Sequence, residues 1–418
     1  MIPLAEARAS ALGVCPPPAV VTLPLAEALG CVLAEPAAAA VAIPPFANSA
    51  MDGYAVRAED VAGAPVTLEV TGRVLAGADA SSSTVGRGQA LRIMTGAPVP
   101  AGADAVCMVE LTHPAGGAGD TVVIEAPVAS GVNIRPAGDD VAAGQLVLDA
   151  GARIGPTQLG ALISAGCAEV RVHPAPRVGV ISTGDELTDP GAPLGPAQIY
   201  DSNRPMLLAL VAGAGCRPVD LGRAPDEEAA LTERIEGALG DVDALVLSGG
   251  VSVGDVDLVK VVLDRLAHGT GQWMQIAIRP AKPFSCAALA GPGGRTVPAF
   301  GLPGNPVSSA VSFELLVRPA LLGMAGRKPT GRPRVRAVAA APFGRHPDGK
   351  VHFDRVLLTR RGDLDGEWLA QPARGQSSHQ IGSLAASHGL AVVPDGDGLD
   401  EGDRVEVVVT DESVLGTT

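Results

Sequence analysis

A chain of 418 residues, 47% hydrophobic and 18% charged, has material for roughly two to four domains, which excludes global disorder. The net charge of −14 argues against nonspecific nucleic-acid binding, so an anionic ligand must be held by local loops, helix ends or metal against the overall field. The six Cys form no C-x-x-C pair and the seven His no H-E-x-x-H, which disfavours a structural zinc site or disulfide framework and suits a reducing cytoplasm.

In chain order, the N-terminus lacks the basic and apolar regions of a signal peptide. No run of ~18 uninterrupted apolar residues follows, so no membrane-spanning helix and no membrane partner is expected. Residues 1–44 predict a helix followed by extended chain punctuated by Pro16, Pro24, Pro36 and Pro44. Residues 45–140 carry short β-prone runs (66–70, 90–94, 122–124) between Gly, Pro and Ser clusters, the pattern of a small β-rich module. Residues 156–165 predict a helix with Pro156 at its first position and Gly166 as its stop.

From about 176 the pattern becomes βαβ. Strands are expected at 177–182, 217–221, 244–247 and 297–302, with helices at 204–212, 227–239, 256–266 and 307–322. That alternation predicts a parallel sheet covered by helices on both faces. Residues 326–333 read as a linker, and 334–418 as a small β-barrel or sandwich. The expected class is multidomain α/β: a central parallel α/β domain with β-rich N-terminal modules and a C-terminal β-barrel-like domain.

The stretch 244–257 organises the rest. Its apolar strand runs into Ser248-Gly249-Gly250-Val251-Ser252-Val253-Gly254, whose small residues let backbone N–H groups approach a ligand. Asp255 and Asp257 follow at once and cannot attract phosphate themselves; a metal ion between carboxylates and phosphate oxygens reconciles the two. A tight turn with a solvated helix start is the plain alternative. The loop matches neither a P-loop nor a dinucleotide fingerprint.

Ligands of open α/β sheets bind beyond the carboxyl ends of the strands, and three other segments place polar residues there. They are Ser182-Thr183-Gly184-Asp185-Glu186, Asp226 (a helix N-cap in the plain reading), and Gly301-Leu302-Pro303-Gly304-Asn305-Pro306, a well-made helix start in which Asn305 can cap. Arg279 and Lys282 add two cations suited to phosphate. Tyr200, Trp273, Phe284 and Phe300 lie in or beside these segments and are either ligand-stacking or core residues. Asp395 to Asp400 lacks the remaining ligands of a calcium loop and reads as a hairpin turn. No nucleophilic triad is evident, which disfavours covalent catalysis.

Seven strings, in order, resemble the molybdopterin molybdenumtransferase family, known as MoeA in bacteria and shared by the C-terminal domain of gephyrin. They are 49–56, 93–100, Asn133-Ile134-Arg135 with Asp139-Asp140, 182–187, 199–203, 248–254 and 301–307. The resemblance implies a homodimer with an inter-subunit active site. Its domains would be 1–44 plus 141–175, then 45–140, 176–328 (the MogA-like domain) and 329–418. It implies molybdate and adenylated molybdopterin as substrates, AMP as product and Mg²⁺ as cofactor, held by Glu186 and Asp257. Other proteins of molybdenum cofactor biosynthesis are implied as partners.

Carried over by position, Asp52, Thr95 and Asp140 form one side of the cleft and Glu186, Asp226, Asp257, Arg279 and Lys282 the nucleotide side. Thr183, Gly184, Ser248, Gly249, Gly250, Ser252, Gly254, Pro303, Gly304 and Asn305 bind the ligand, joined by Arg355 and Ser383 from the C-terminal domain. Where the family often has Lys-Pro-Gly-Lys-Pro, this chain has Arg279-Pro280-Ala281-Lys282-Pro283. The alternatives are a molybdopterin adenylyltransferase, which needs only the central domain, and a non-catalytic scaffold that retains the fold.

Overall fold

The computed structural model describes residues 1–115, 120–250, 257–328, 330–362 and 366–416. The chain divides into two compact units. One holds Thr22–Leu29 and Glu35–Arg171; the other holds Met1–Val21, Gly30–Ala34 and Val172–Thr418.

The first unit is built on a six-stranded sheet in the order Ala105–Met108, Gly53–Val56, Gln89–Ile93, Val66–Val74, Thr121–Ile124, Thr112–Pro114. Its pairings are antiparallel except between Val66–Val74 and Gln89–Ile93. The period of two in the strands sends alternate residues to two apolar clusters. Val56, Ala90 and Cys107 join one, while Ala55, Leu91 and Val106 join the other. The helix Pro156–Ser164 starts on proline as expected, and Gly166 ends it at φ 77°.

The second unit contains the α/β domain and a barrel. The α/β sheet has the order Arg217–Ala224, Arg177–Thr183, Ala244–Ser248, Thr296–Leu302, Pro283–Ala290, Gln272–Gln275. The first four strands are parallel, and the last two pairings are antiparallel. The wholly parallel sheet expected from the sequence is corrected here by two antiparallel strands at one edge. Pro283–Ala290 is Pro-Phe-Ser-Cys-Ala-Ala-Leu-Ala, with no β-branched residue to signal a strand.

Helices Asn203–Gly213, Glu228–Ala238, Leu258–Leu266 and Pro306–Met324 lie within a few residues of their expected bounds. The helix Leu4–Gly13 packs Ala7 and Ala11 into the same core as Phe284, Phe300 and Val311.

Pro306–Met324 is long and apolar enough to cross a membrane by length and composition. Ser308, Ser309, Ser312, Glu314 and Arg318 interrupt its apolar run in the sequence, yet all are buried. Its most apolar window is 94% buried within the protein, which makes it a core helix.

The C-terminal strands form a ring: Val351–Arg360, Trp368–Pro372, Arg334–Ala339, Arg404–Val409 and Gly389–Val393, which pairs back to Val351–Arg360. This closed five-stranded barrel decides between the barrel and the sandwich. Its interior is rich in Ala and Val. Ile278–Arg279 adds to its wall, pairing with Val351 and His352. The Asp395 carboxylate is held by the Arg345 guanidinium and by the Asp348 and Gly349 N–H groups, as a turn residue would be.

Candidate functional site

The parallel strand order places the first strand, Arg177–Thr183, beside the third, Ala244–Ser248, while the second lies on the outer side. Connections therefore leave in opposite directions at this junction and open a crevice at the strand ends. Ser182 is in register with Ser248, and Ser248 with Leu302, so three of the four predicted polar segments begin at one level. The crevice is a cleft of about 830 Å³ lined by Thr183, Gly184, Glu186, Asp226, Ser248, Gly249, Gly250, Pro303, Gly304 and Asn305. Ser252 and Gly254 lie outside the described residues.

The glycines are sterically required here. Gly249 stands at φ 104°, and a Cβ on it would lie 2.5 Å from the Thr183 carbonyl oxygen. Asn203 ties the loops together, its Nδ2 donating to Ser248 Oγ (2.8 Å) and to the Gly304 carbonyl (2.7 Å). Asp201, 1% exposed, accepts from Ser182 Oγ at 2.6 Å and from Arg204 Nε at 3.0 Å. These two residues were read as part of a motif and given no site role. Their function as clamps depends on partners 45 and 101 positions away for Asn203, invisible to local pattern.

Two local readings are corrected. Asp226 does not cap the following helix, whose N-cap is Glu227; its carboxylate instead accepts from the Asp185 N–H at 3.4 Å. Asn305 holds the N-cap position without a side-chain cap; the Val307 N–H is satisfied by the Ser378 carbonyl at 3.2 Å. Phe284 and Phe300 are fully buried and stacked at 6.3 Å, hence core residues, while Tyr200 lines the cleft.

Asp257 caps the helix Leu258–Leu266, its Oδ1 accepting from the Lys260 N–H at 3.4 Å. Its Oδ2 is buried without a hydrogen-bond partner among the described residues. Burial pushes its carboxyl up to about 6, against the opposing pull of the Lys260 N–H and charge.

A second cleft, about 380 Å³, is lined by Arg279, Lys282, Lys350, Ser308, Gln376 and His379, among others. Lys350 is paired to Asp348 at 2.8 Å, whereas Arg279 and Lys282 have no ion pair among the described residues. Ala281, between them, is held at φ 75°, the left-handed region natural to glycine. Arg355 and Ser383 are joined by a 3.1 Å hydrogen bond. Arg355 is 0% exposed and also donates to the Gly375 and Ser377 carbonyls, which fixes the loop that carries His379. Lys350 and His379 were missed, because neither sits in a motif.

In the first unit, three strings separated in sequence converge. The Ser49 N–H donates to the Ala97 carbonyl, Gly96 N–H to Ser49, and Ala50 N–H to Asn133. Asp52 Oδ1 accepts from both the N–H and the hydroxyl of Thr95 at 2.7 Å. The Thr95 N–H above all, then its hydroxyl, holds the Asp52 carboxyl below its ordinary range. Asp140 is exposed, its N–H bonded to the Ile43 carbonyl. All six cysteines are free thiols, and burial pushes Cys15 and Cys286 up to about 12, far from nucleophilic use.

A crevice at a sheet switch point, with Gly249 and Gly250 in its wall, and a cleft lined by cations that shares residues with it define an α/β protein with a small-molecule site at its strand ends. Known families resolve the class further. The MoeA N-terminal region (domains I and II) matches residues 2–166, a "probable molybdopterin binding domain" 179–323, and the MoeA C-terminal region (domain IV) 336–410.

Molybdopterin molybdenumtransferase 2 of Mycobacterium tuberculosis is 40% identical over 383 residues, covering 90% of this chain and 91% of its own. The molybdopterin molybdenumtransferase of Haemophilus influenzae is 36% identical over 397 residues, 94% of each. Two solved MoeA structures from Pyrococcus horikoshii align with TM-scores of 0.79 and 0.72 at 33% and 29% identity. Each covers 98% of this chain, and 99% and 100% of their own. The chain belongs to the MoeA family.

Proposed function

We propose that the chain inserts molybdenum from molybdate into adenylated molybdopterin and releases AMP. The observation that carries this reading is the cationic cleft beside the switch-point crevice, in a chain that matches the family from end to end. An adenylyltransferase would need only the central domain, and the matched N- and C-terminal regions disfavour it. The presence of Asp52, Glu186, Asp257 and Lys282 speaks against an inert scaffold.

Thr183, Ser248 and the glycine loop take the nucleotide side of the substrate, with Asp226, Gly304 and Asn305 along its wall. Arg279 and Lys282 face both the phosphate of the adenylated substrate and the incoming oxyanion beside it, and stabilise anionic charge by roughly 2–4 kcal/mol each where water is excluded. Asp52, Thr95 and Asp140 order donors or water toward the incoming oxyanion.

Magnesium fits the chemistry of Glu186 and Asp257: both are hard oxygen donors, and Asp257 Oδ2 is an orphaned buried atom. Glu186 and Asp257 would hold such an ion, which would supply positive charge for the leaving phosphate. Chelation should therefore abolish AMP release; undiminished release would remove these roles from Glu186 and Asp257.

The working assembly in this reading is a cytoplasmic homodimer with clefts completed across subunits. Its four domains are 1–44 plus 141–175, 45–140, 176–328 and 329–418. The decisive assay supplies adenylated molybdopterin and molybdate to the purified chain and measures AMP; no molybdate-dependent AMP overturns the reading.

A further inference from the structure

The crevice and the cationic cleft have part of one wall in common, since Pro283, Ser308 and His379 line both. Pro283 has no proton to exchange, and Ser308 is a 5% exposed hydroxyl in the first turn of a helix. His379 is exposed and makes no side-chain hydrogen bond to another described residue. Its backbone is nonetheless fixed. The Ser377 N–H donates to Gln380 Oε1 at 2.8 Å, the Ile381 N–H to the His379 carbonyl at 3.0 Å, and buried Arg355 to the Ser377 carbonyl at 3.3 Å. The neighbouring Ser378 carbonyl is held by the Val307 N–H. A free imidazole on a pinned loop thus stands between the two ligand subsites.

The chemistry proposed for those subsites needs a proton carrier there. When a dithiol replaces one oxide of molybdate, two Mo–S bonds form and one Mo–O bond breaks. The two sulfur-bound protons leave with the oxide as water, and molybdenum is neither oxidised nor reduced. Arg279, Lys282 and Lys350 supply positive charge for an oxyanion, while imidazole is the side-chain type suited to carrying a proton between two partners. This rests on the function proposed above, with the pterin dithiol reaching out of the crevice and molybdate held beside Arg279 and Lys282 in the cationic cleft; on it we infer that His379 is a catalytic residue. It takes the two protons of the dithiol one after the other on the crevice side and delivers each to the departing oxide in the cationic cleft, which leaves as water.

The test measures molybdenum incorporated into the pterin product by the full chain carrying His379→Gln or His379→Ala. We expect kcat to fall about 100-fold in both, with the KM for molybdate within about threefold of wild type. Added imidazole should restore His379→Ala at least tenfold toward wild type. An unchanged kcat overturns the inference, as does a loss that imidazole does not restore or a KM that rises in step. Lys282→Ala, assayed in parallel, tests the underlying reading. If its molybdate KM does not rise, the cationic cleft is not the oxyanion site, and the inference falls with it.

Discussion

The Asp257 carboxyl caps a helix with one oxygen and buries the other unpartnered, at 6% exposure. Its folded value of about 6 lies above the ordinary 3.8, so the native state holds the proton more tightly than the unfolded chain. Stability from this group is complete below about pH 4 and is lost as pH rises through 6. Asp257→Asn keeps a cap of equal quality and removes the charge. The variant should gain about 1–3 kcal/mol at pH 7.5 and nothing near pH 3.5, read from urea midpoints at the two pH values. A gain of equal size at both would show that the cost is not ionisation. At the same scale, Lys282→Ala should weaken the adenylated ligand about 10–100-fold, and Arg279→Lys only a few-fold, because the latter keeps its charge. Calorimetric titration decides between them, and equal losses would put geometry at 279 on a par with charge.

Among the elements, the turn 279–282 leads from a strand added to the barrel wall into the sheet strand Pro283–Ala290. Its Ala281 sits at φ 75°, where an L-residue with a Cβ is strained by roughly 1–2 kcal/mol. Glycine there relieves that strain, at about 0.4–1 kcal/mol of added unfolded-chain entropy. Ala281→Gly should therefore be neutral or stabilising by up to about 1 kcal/mol. Ala287→Gly, in the regular strand with 0% exposure, should lose about 1–2 kcal/mol. Denaturant midpoints of the two variants give the comparison; similar losses in both would mean that the turn carries no strain.

For the whole molecule, the candidate site residues are divided between two units: Asp52, Thr95 and Asp140 in one, Asp257, Arg279 and Lys282 in the other. If each cleft is completed by the partner subunit, mixing Asp52→Ala with Asp257→Ala should restore activity. A mixed dimer draws one of its two clefts from unmutated parts, so about a quarter of wild-type activity should return at equal mixing. Native mass spectrometry establishes whether mixed dimers form. Mixed dimers with background activity would mean that each cleft is built within one chain.

The α/β alternation, the helix starts at Pro156 and Pro306 and the tight turn at Gly249 and Gly250 could be read directly from the sequence, because periodicity and turn chemistry are local properties. Tertiary structure decided what depends on distant partners. The antiparallel edge strand Pro283–Ala290 has too little β propensity to announce itself and exists through its pairing with Thr296–Leu302. The apolar helix Pro306–Met324 is a core helix because Leu4–Gly13, Asn203–Gly213 and the strand Thr296–Leu302 pack against it. Asp226 turned to Asp185 instead of capping its helix, while the Ser378 carbonyl satisfied the N–H that Asn305 left open. Lys350 and His379, each without a motif, were brought to the cationic cleft by closure of the barrel and the loop that buried Arg355 holds.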